Sequence, residues 1–146
     1  MKKVLYIDMD NVLVDFSSGI AKLDEATKTE YYDNYDEVPG IFSLMDPMKD
    51  AITSFNLLAD KYDTYILSTA PWKNPSAWSD KVLWVQKHLG EKAYKRLIIS
   101  HHKNMNKGHY LIDDREKNGA KEFEGELIKF GSDEFSDWQA VLQYLM

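Results

Sequence analysis

The chain has 146 residues, a net charge of −6 from 24 acidic and 18 basic residues, 44% apolar and 13% aromatic content, and no cysteine. This length and composition predict one globular domain with a real core and exclude a disordered segment, a disulfide framework and thiolate chemistry. No run of 18 apolar residues occurs, so no membrane span is expected, and the acidic balance argues against a nucleic-acid polymer as partner while leaving a single nucleotide open.

The first apolar run, Lys3–Ile7, reads as a strand. Met1-Lys2-Lys3 entering a run broken by Asp8 is too short and too acidic for a signal peptide, so a cytoplasmic location is expected. A helix is predicted from about Ser17 to Thr27, with Ile20, Leu23 and Thr27 on one face. Residues 28–45 are polar and aromatic and carry the turn signal Pro39-Gly40. Asp46-Pro47 reads as an N-cap with proline at the first helical position, opening a helix that runs to Asp60. Thr64–Ser68 is the second strand. A helix capped by Ser76 follows to Leu89, with Trp78, Val82, Val85 and Leu89 on one face, and Gly90 ends it. Arg96–Ser100 and Tyr110–Ile112 are strands three and four. A helix-like stretch near Arg115–Phe123 precedes strand five, Glu126–Phe130, and a last helix spans Asp137–Leu145.

Strands alternating with helices predict an α/β fold: a Rossmann-like parallel sheet flanked by helices. The insert between strands one and two is longer than a crossover needs. Residues 1–15 and 61–146 therefore read as the α/β core, and 16–60 as a small helical cap inserted after the first strand.

In such a sheet ligands bind outside the carboxyl ends of the strands. Four apolar runs here end in, or lead into, groups suited to a phosphate and a metal: Asp8-Met9-Asp10, Ser68-Thr69-Ala70-Pro71, Ser100 leading to Lys103, and Asp113-Asp114-Arg115. Clustered carboxylates repel, and desolvating them is costly unless a cation or proton compensates. His101-His102 does not read as a metal pair, because adjacent residues on an extended segment point to opposite faces.

The ordered set D-x-D, Thr, Lys, D-D resembles the haloacid dehalogenase-like phosphohydrolases, and within them the 5'(3')-deoxyribonucleotidase family. The resemblance rests on Asp8-Met9-Asp10-x-Val12-Leu13-x-Asp15-Phe16, on Ser68-Thr69-Ala70-Pro71, and on Lys103 ten residues before Asp113 in Leu111-Ile112-Asp113-Asp114-Arg115. It implies an Mg²⁺-dependent phosphomonoesterase acting on deoxyribonucleoside 5'(3')-monophosphates through an aspartyl-phosphate. Asp8 would be the nucleophile and Asp10 the general acid and base. The metal would be held by Asp8, Asp10 (through its carbonyl) and one of the Asp113-Asp114 pair, Asp114 being favoured and Asp113 supporting. Thr69 would bind phosphate, with Ser68 the competing hydroxyl and Ala70 beside them. Lys103 would stabilise the phosphate charge, with Lys107 the alternative. Phe16 matches the position that lies beside the nucleoside in the family, and with Trp72 and cap aromatics such as Tyr31, Tyr32 or Phe42 it could stack on a base. Asn11 stands where the family commonly has glycine, and asparagine is the next most tolerant of positive φ. The cap is shorter than is usual in the family. A monomer or homodimer is expected.

Two other readings share parts of this pattern. Another phosphatase of the same type, acting for example on sugar phosphates, would use the same catalytic groups. A phospho-accepting receiver domain also places Asp, Thr and Lys at strand ends, but in a different order.

Overall fold

The computed structural model describes residues 1–146. In chain order the elements are β1 (Val4–Ile7), β2 (Val14–Asp15), α1 (Phe16–Ala21), α2 (Glu25–Glu30), β3 (Asp46–Pro47), α3 (Ala51–Lys61), β4 (Asp63–Ser68), α4 (Pro75–Leu89), β5 (Leu97–Ile99), β6 (Tyr110–Asp113), β7 (Glu126–Lys129) and α5 (Trp138–Leu145). Five strands form one parallel sheet in the order β5-β4-β1-β6-β7, and β2 pairs with β3 in a separate antiparallel ribbon. The first strand lies in the middle, and the order reverses between β1 and β6. That is the switch point at which an open α/β sheet leaves a crevice for a ligand.

Alternation along the strands divides the core. Leu5 and Ile7 face one side with Ile66, Ile112 and Ile128, and pack with Phe55 and Leu58 of α3, Trp84 and Val85 of α4, and Trp138 and Val141 of α5. Tyr6 faces the other side with Leu67 and Leu111, under Ala120 and Phe123. The Trp138 indole N–H donates to the Val12 carbonyl at 2.8 Å, tying the last helix to the loop after β1.

Several elements differ from the sequence prediction. The helix expected over 17–27 is two short helices. The first ends at Ala21, and Asp24 starts the second by accepting from the Thr27 amide at 2.8 Å. Gly19 lets the first pack closely on residues 41–45, since a Cβ there would meet Met45 Cγ at 2.8 Å. Asp46-Pro47 does not cap a helix. It forms β3, pairing with Val14 and Asp15, a place where proline's missing N–H is tolerated on a ribbon edge. The helix starts later, after Asp50. Ser76 is not the cap of α4 but its second residue; the N-cap position is Asn74. The face of α4 that is buried runs Ala77, Lys81, Trp84, Val85, Leu89, which leaves Val82 exposed. Residues 115–123 form turns instead of a helix, because Asn118 and Gly119 both take positive φ. In the segment 16–60, residues up to Asp50 carry short helices, 3₁₀ turns and the ribbon, while α3 packs on α5 and β4.

Candidate active site

Asp8 directly follows β1, and its amide donates to the Ile112 carbonyl of β6 at 2.9 Å. The Met9 carbonyl then accepts from the amides of Val12, Leu13 and Val14. This tight turn needs one residue in the left-handed region, and Asn11 supplies it at φ 61°. Asp113 ends β6 and Asp114 follows. One strand register thus delivers the carboxylates of Asp8, Asp113 and Asp114 to one place, with ligand oxygens within 4.8 Å of one another.

Lys103 enters from a 3₁₀ turn after β5. Its Nζ donates to Asp113 Oδ2 at 2.6 Å and to Asp8 Oδ1 at 3.0 Å, and all three side chains are buried. The Lys103 amide donates to the Asn118 carbonyl at 2.8 Å, and a Cβ on Gly119 would lie 2.9 Å from that amide. The turn after β6 therefore seats the lysine through close backbone contact. Asp113 Oδ1 accepts from the Arg115 amide at 3.0 Å, which completes its hydrogen bonding.

Charge is unevenly compensated. Burial pushes Asp8 up to about 7; Lys103 pulls it down, Asp113 and Asp10 push it further up, and Lys81 pulls it down. Burial also raises Asp114, to about 6, followed by the neighbouring Asp8 charge. Burial works against the Lys103 ammonium, but attraction to Asp8 and Asp113 and its hydrogen bonds to them prevail, and its pKa is raised. Asp114 Oδ1 is buried with no hydrogen-bond donor. Three close carboxylates, one of them with an orphaned oxygen, fit a hard divalent cation that prefers oxygen ligands.

Of this cluster Asp114 lines a cleft of about 620 Å³, while Asp8, Lys103 and Asp113 are buried next to it. Asp10, Phe16, Thr69, Ala70 and Asp114 line it, and Tyr35, Asp36 and Phe42 close it from the cap side. The sequence candidates are not all placed alike. Thr69 reaches the cleft, but its hydroxyl donates to the Ser100 carbonyl at 2.8 Å. Ala70 presents an amide with no backbone acceptor. Ser68 is buried and turned away, its Oγ accepting from Lys81 Nζ at 2.8 Å. The alternative Lys107 is not in the cluster; its carbonyl accepts from the Tyr6 hydroxyl. Phe16 lies on the cleft wall, edge-on to Phe42 with ring centroids 5.7 Å apart. Trp72 does not line the cleft. It is 80% exposed and stands 6.1 Å from the His101 ring, which does.

Lys81 is the residue that sequence reasoning missed. Its Nζ donates to Asp10 Oδ1 at 3.0 Å. The available signal was its place in the helical series Ala77, Lys81, Trp84, Val85, Leu89: a lysine inside an apolar stripe.

A family model described as 5' nucleotidase, deoxy (pyrimidine), cytosolic type C matches residues 18–138. A protein of Vibrio phage KVP40, assigned as a 5'(3')-deoxyribonucleotidase, is 62% identical over 144 residues, covering 99% of this chain and 85% of that protein. The human 5'(3')-deoxyribonucleotidase, cytosolic type, is 27% identical over 139 residues, covering 75% of this chain and 69% of that protein. Among solved structures, the magnesium-bound HAD-hydrolase YfnB of Bacillus subtilis superposes with a TM-score of 0.68 at 11% identity, covering 99% of this chain and 98% of that one. The hydrolase SP0104 of Streptococcus pneumoniae, described as haloacid dehalogenase-like, superposes with a TM-score of 0.56 at 14% identity, covering 98% and 90%. No helix of this chain is long and apolar enough to cross a membrane. Sheet order, site and relatives agree, and the receiver-domain reading falls away: the chain belongs to the 5'(3')-deoxyribonucleotidase family of haloacid dehalogenase-like phosphoric monoester hydrolases.

Proposed function

We propose that the protein hydrolyses deoxyribonucleoside 5'- or 3'-monophosphates with Mg²⁺, through an aspartyl-phosphate on Asp8. The observation that supports this most is the orphaned, buried Asp114 Oδ1 within 4.8 Å of the Asp8 and Asp113 carboxylates, a site suited to a cation beside a candidate nucleophile.

Asp8 attacks phosphorus as the carboxylate, the form its Lys103 contact favours. The bond from phosphorus to the ester oxygen breaks, and Asp10 gives its proton to that leaving oxygen. Water then attacks the phosphorus of phospho-Asp8, Asp10 takes the water's proton, and the phosphorus–Asp8 oxygen bond breaks to release phosphate. Lys103 offsets the negative charge that develops on the transferred group, and Thr69 and the Ala70 amide, which line the cleft, would bind phosphate oxygens. Asp8, Asp114 and the Asp10 carbonyl would hold Mg²⁺, with Asp113 steadying Lys103 behind them; the bound ion supplies charge neutralisation to the phosphate. Phe16, backed by Phe42, gives the nucleoside an apolar wall. Within 16–60, the residues up to Asp50 would serve as the cap, while α3 packs into the core. A monomer or homodimer working on free nucleotides in the cytoplasm is the setting we infer.

The test is phosphate release from dUMP, dTMP, dGMP, 3'-dUMP, UMP and a sugar phosphate, with Mg²⁺ or with EDTA. Mg²⁺-dependent turnover that favours the deoxynucleotides supports the reading. Equal rates on dUMP and UMP sink deoxyribose selectivity, and turnover of the sugar phosphate alone overturns the substrate.

A further inference from the structure

Lys81 is the one charged residue of the chain with 0% exposure, and nothing in the mechanism above uses it. An ammonium buried on the apolar face of a helix is costly unless its charge and its three donors are matched. Here they are. Nζ donates to Asp10 Oδ1 at 3.0 Å and to Ser68 Oγ at 2.8 Å, and it stands 4.5 Å from the centroid of the Phe42 ring, a cation–π contact. Lys103 bonds to Asp8 and Asp113 but not to Asp10. Two lysines therefore divide the hydrogen bonds to these carboxylates, one bonded to the nucleophile and the other to the acid–base residue.

We propose that Lys81 is a positioning residue for proton transfer. It ties Oδ1 of Asp10, with Ser68 and Phe42 as its seat, so that Oδ2 faces the cleft where the ester oxygen leaves. The inference rests on the hydrolytic reading above. The proton that moves is Asp10's, first to the leaving oxygen and later back from water; Lys81 keeps its protons and touches neither phosphate nor nucleoside. The seat also joins acid orientation to the cap, because Phe42 meets Phe16 edge-on and Phe16 lines the cleft.

A double-mutant cycle tests this: wild type, Lys81→Met, Asp10→Asn and the double variant, each with Mg²⁺, dUMP and p-nitrophenyl phosphate. Lys81→Met is expected to lower kcat on dUMP roughly 100-fold, the scale of a lost general acid, with KM within about threefold. The burst of p-nitrophenol in the first turnover should change by less than about threefold, because that leaving group departs without a proton. In the Asp10→Asn background Lys81→Met should cost less than about twofold more. The burst also shows that the variant is folded. If Lys81→Met does not fold, Ser68→Ala carries the test, with an expected loss of roughly tenfold on dUMP and an intact burst. A first-turnover burst of p-nitrophenol that falls as far as kcat on dUMP, a raised KM at unchanged kcat, or a further loss in the Asp10→Asn background overturns the inference alone. A wild type that releases phosphate from neither ester overturns the hydrolytic reading and this inference with it.

Discussion

At the carboxyl edge of the sheet, Asp8 and Asp113 both accept from Lys103 and all three are buried, on a backbone held by strand pairing on both sides of β1. Across the cleft, Asp33 and Asp36 of the cap are exposed, and the cap is built of short helices and 3₁₀ turns. Its docking to the core relies on a few specific bonds. Asn74 Nδ2 donates to the carbonyls of Asp36 and Val38, and Ser76 Oγ accepts from the Gly40 amide. The difference separates two tasks. A floor fixed by strand register holds reacting groups to the geometry that chemistry demands. A cap held by loop contacts can vary its lining, and so its substrate, without disturbing that floor.

Substitutions in the floor should act on kcat and on stability together. Lys103→Met is expected to lower kcat on the preferred deoxynucleotide by about 10²–10³-fold, and to cost about 3 kcal/mol of stability because Asp8 and Asp113 lose their buried partner. Steady-state kinetics and urea unfolding check both. Full activity with either property intact would mean that the ion-pair cluster does not set the floor.

The floor should also carry an unusual pH signature when no cation is bound. Asp8 and Asp114 sit at about 7 and about 6 in the folded chain, both above the ordinary 3.8 of an aspartate. A carboxyl raised on folding stabilises fully below its unfolded value and loses that contribution as pH rises through the folded value. The metal-free protein should therefore lose stability as pH rises from about 4 to about 7, and millimolar Mg²⁺ should flatten the decline. Thermal melts across that range in EDTA and in Mg²⁺ measure it. A metal-free stability that rises with pH would contradict the assigned burial and charge.

Cap substitutions should instead move KM. Phe16→Ala is expected to raise KM for the deoxynucleotide roughly tenfold with kcat within about twofold, the mark of binding shared by ground and transition states. Trp72→Ala should change either constant by less than about twofold, because the indole is exposed outside the cleft. A large kcat loss from Phe16→Ala would join cap and floor into one unit and blunt the comparison.

The same division governs how much the sequence revealed. Short apolar runs ending in acidic or hydroxyl residues are legible because a parallel sheet has little choice about where its strands finish. So Asp8, Asp113 and Asp114 could be placed together from the strand ends, whereas Lys103 was reached through the family resemblance, whose pattern its offset to Asp113 matches. The cap and the helix faces were less legible. Asp46-Pro47 carries a helix-start pattern, yet ribbon pairing with Val14 and Asp15 prevails, a tertiary contact with no local signature. Residues 115–123 lack a helix because the turn at Asn118-Gly119 must approach Lys103 closely, again a non-local demand. On α4, choosing the stripe Trp78-Val82-Val85-Leu89 hid Lys81, because a lysine is read as solvent-facing by default. The resemblance favoured Thr69, but a one-residue register shift would swap it with Ser68; the structure turns Ser68 inward to Lys81 and sets Thr69 on the cleft wall.

Covalent chemistry at Asp8 is the centre of this account. Acid-quenched single turnovers with dUMP and Mg²⁺, followed by peptide mass analysis, test it most directly. The account predicts one phosphoryl group on the peptide that contains Asp8, and an Asp8→Asn variant with no adduct and kcat lower by about 10⁴-fold or more. Turnover that proceeds at the wild-type rate in Asp8→Asn, or an adduct on another residue, would contradict it.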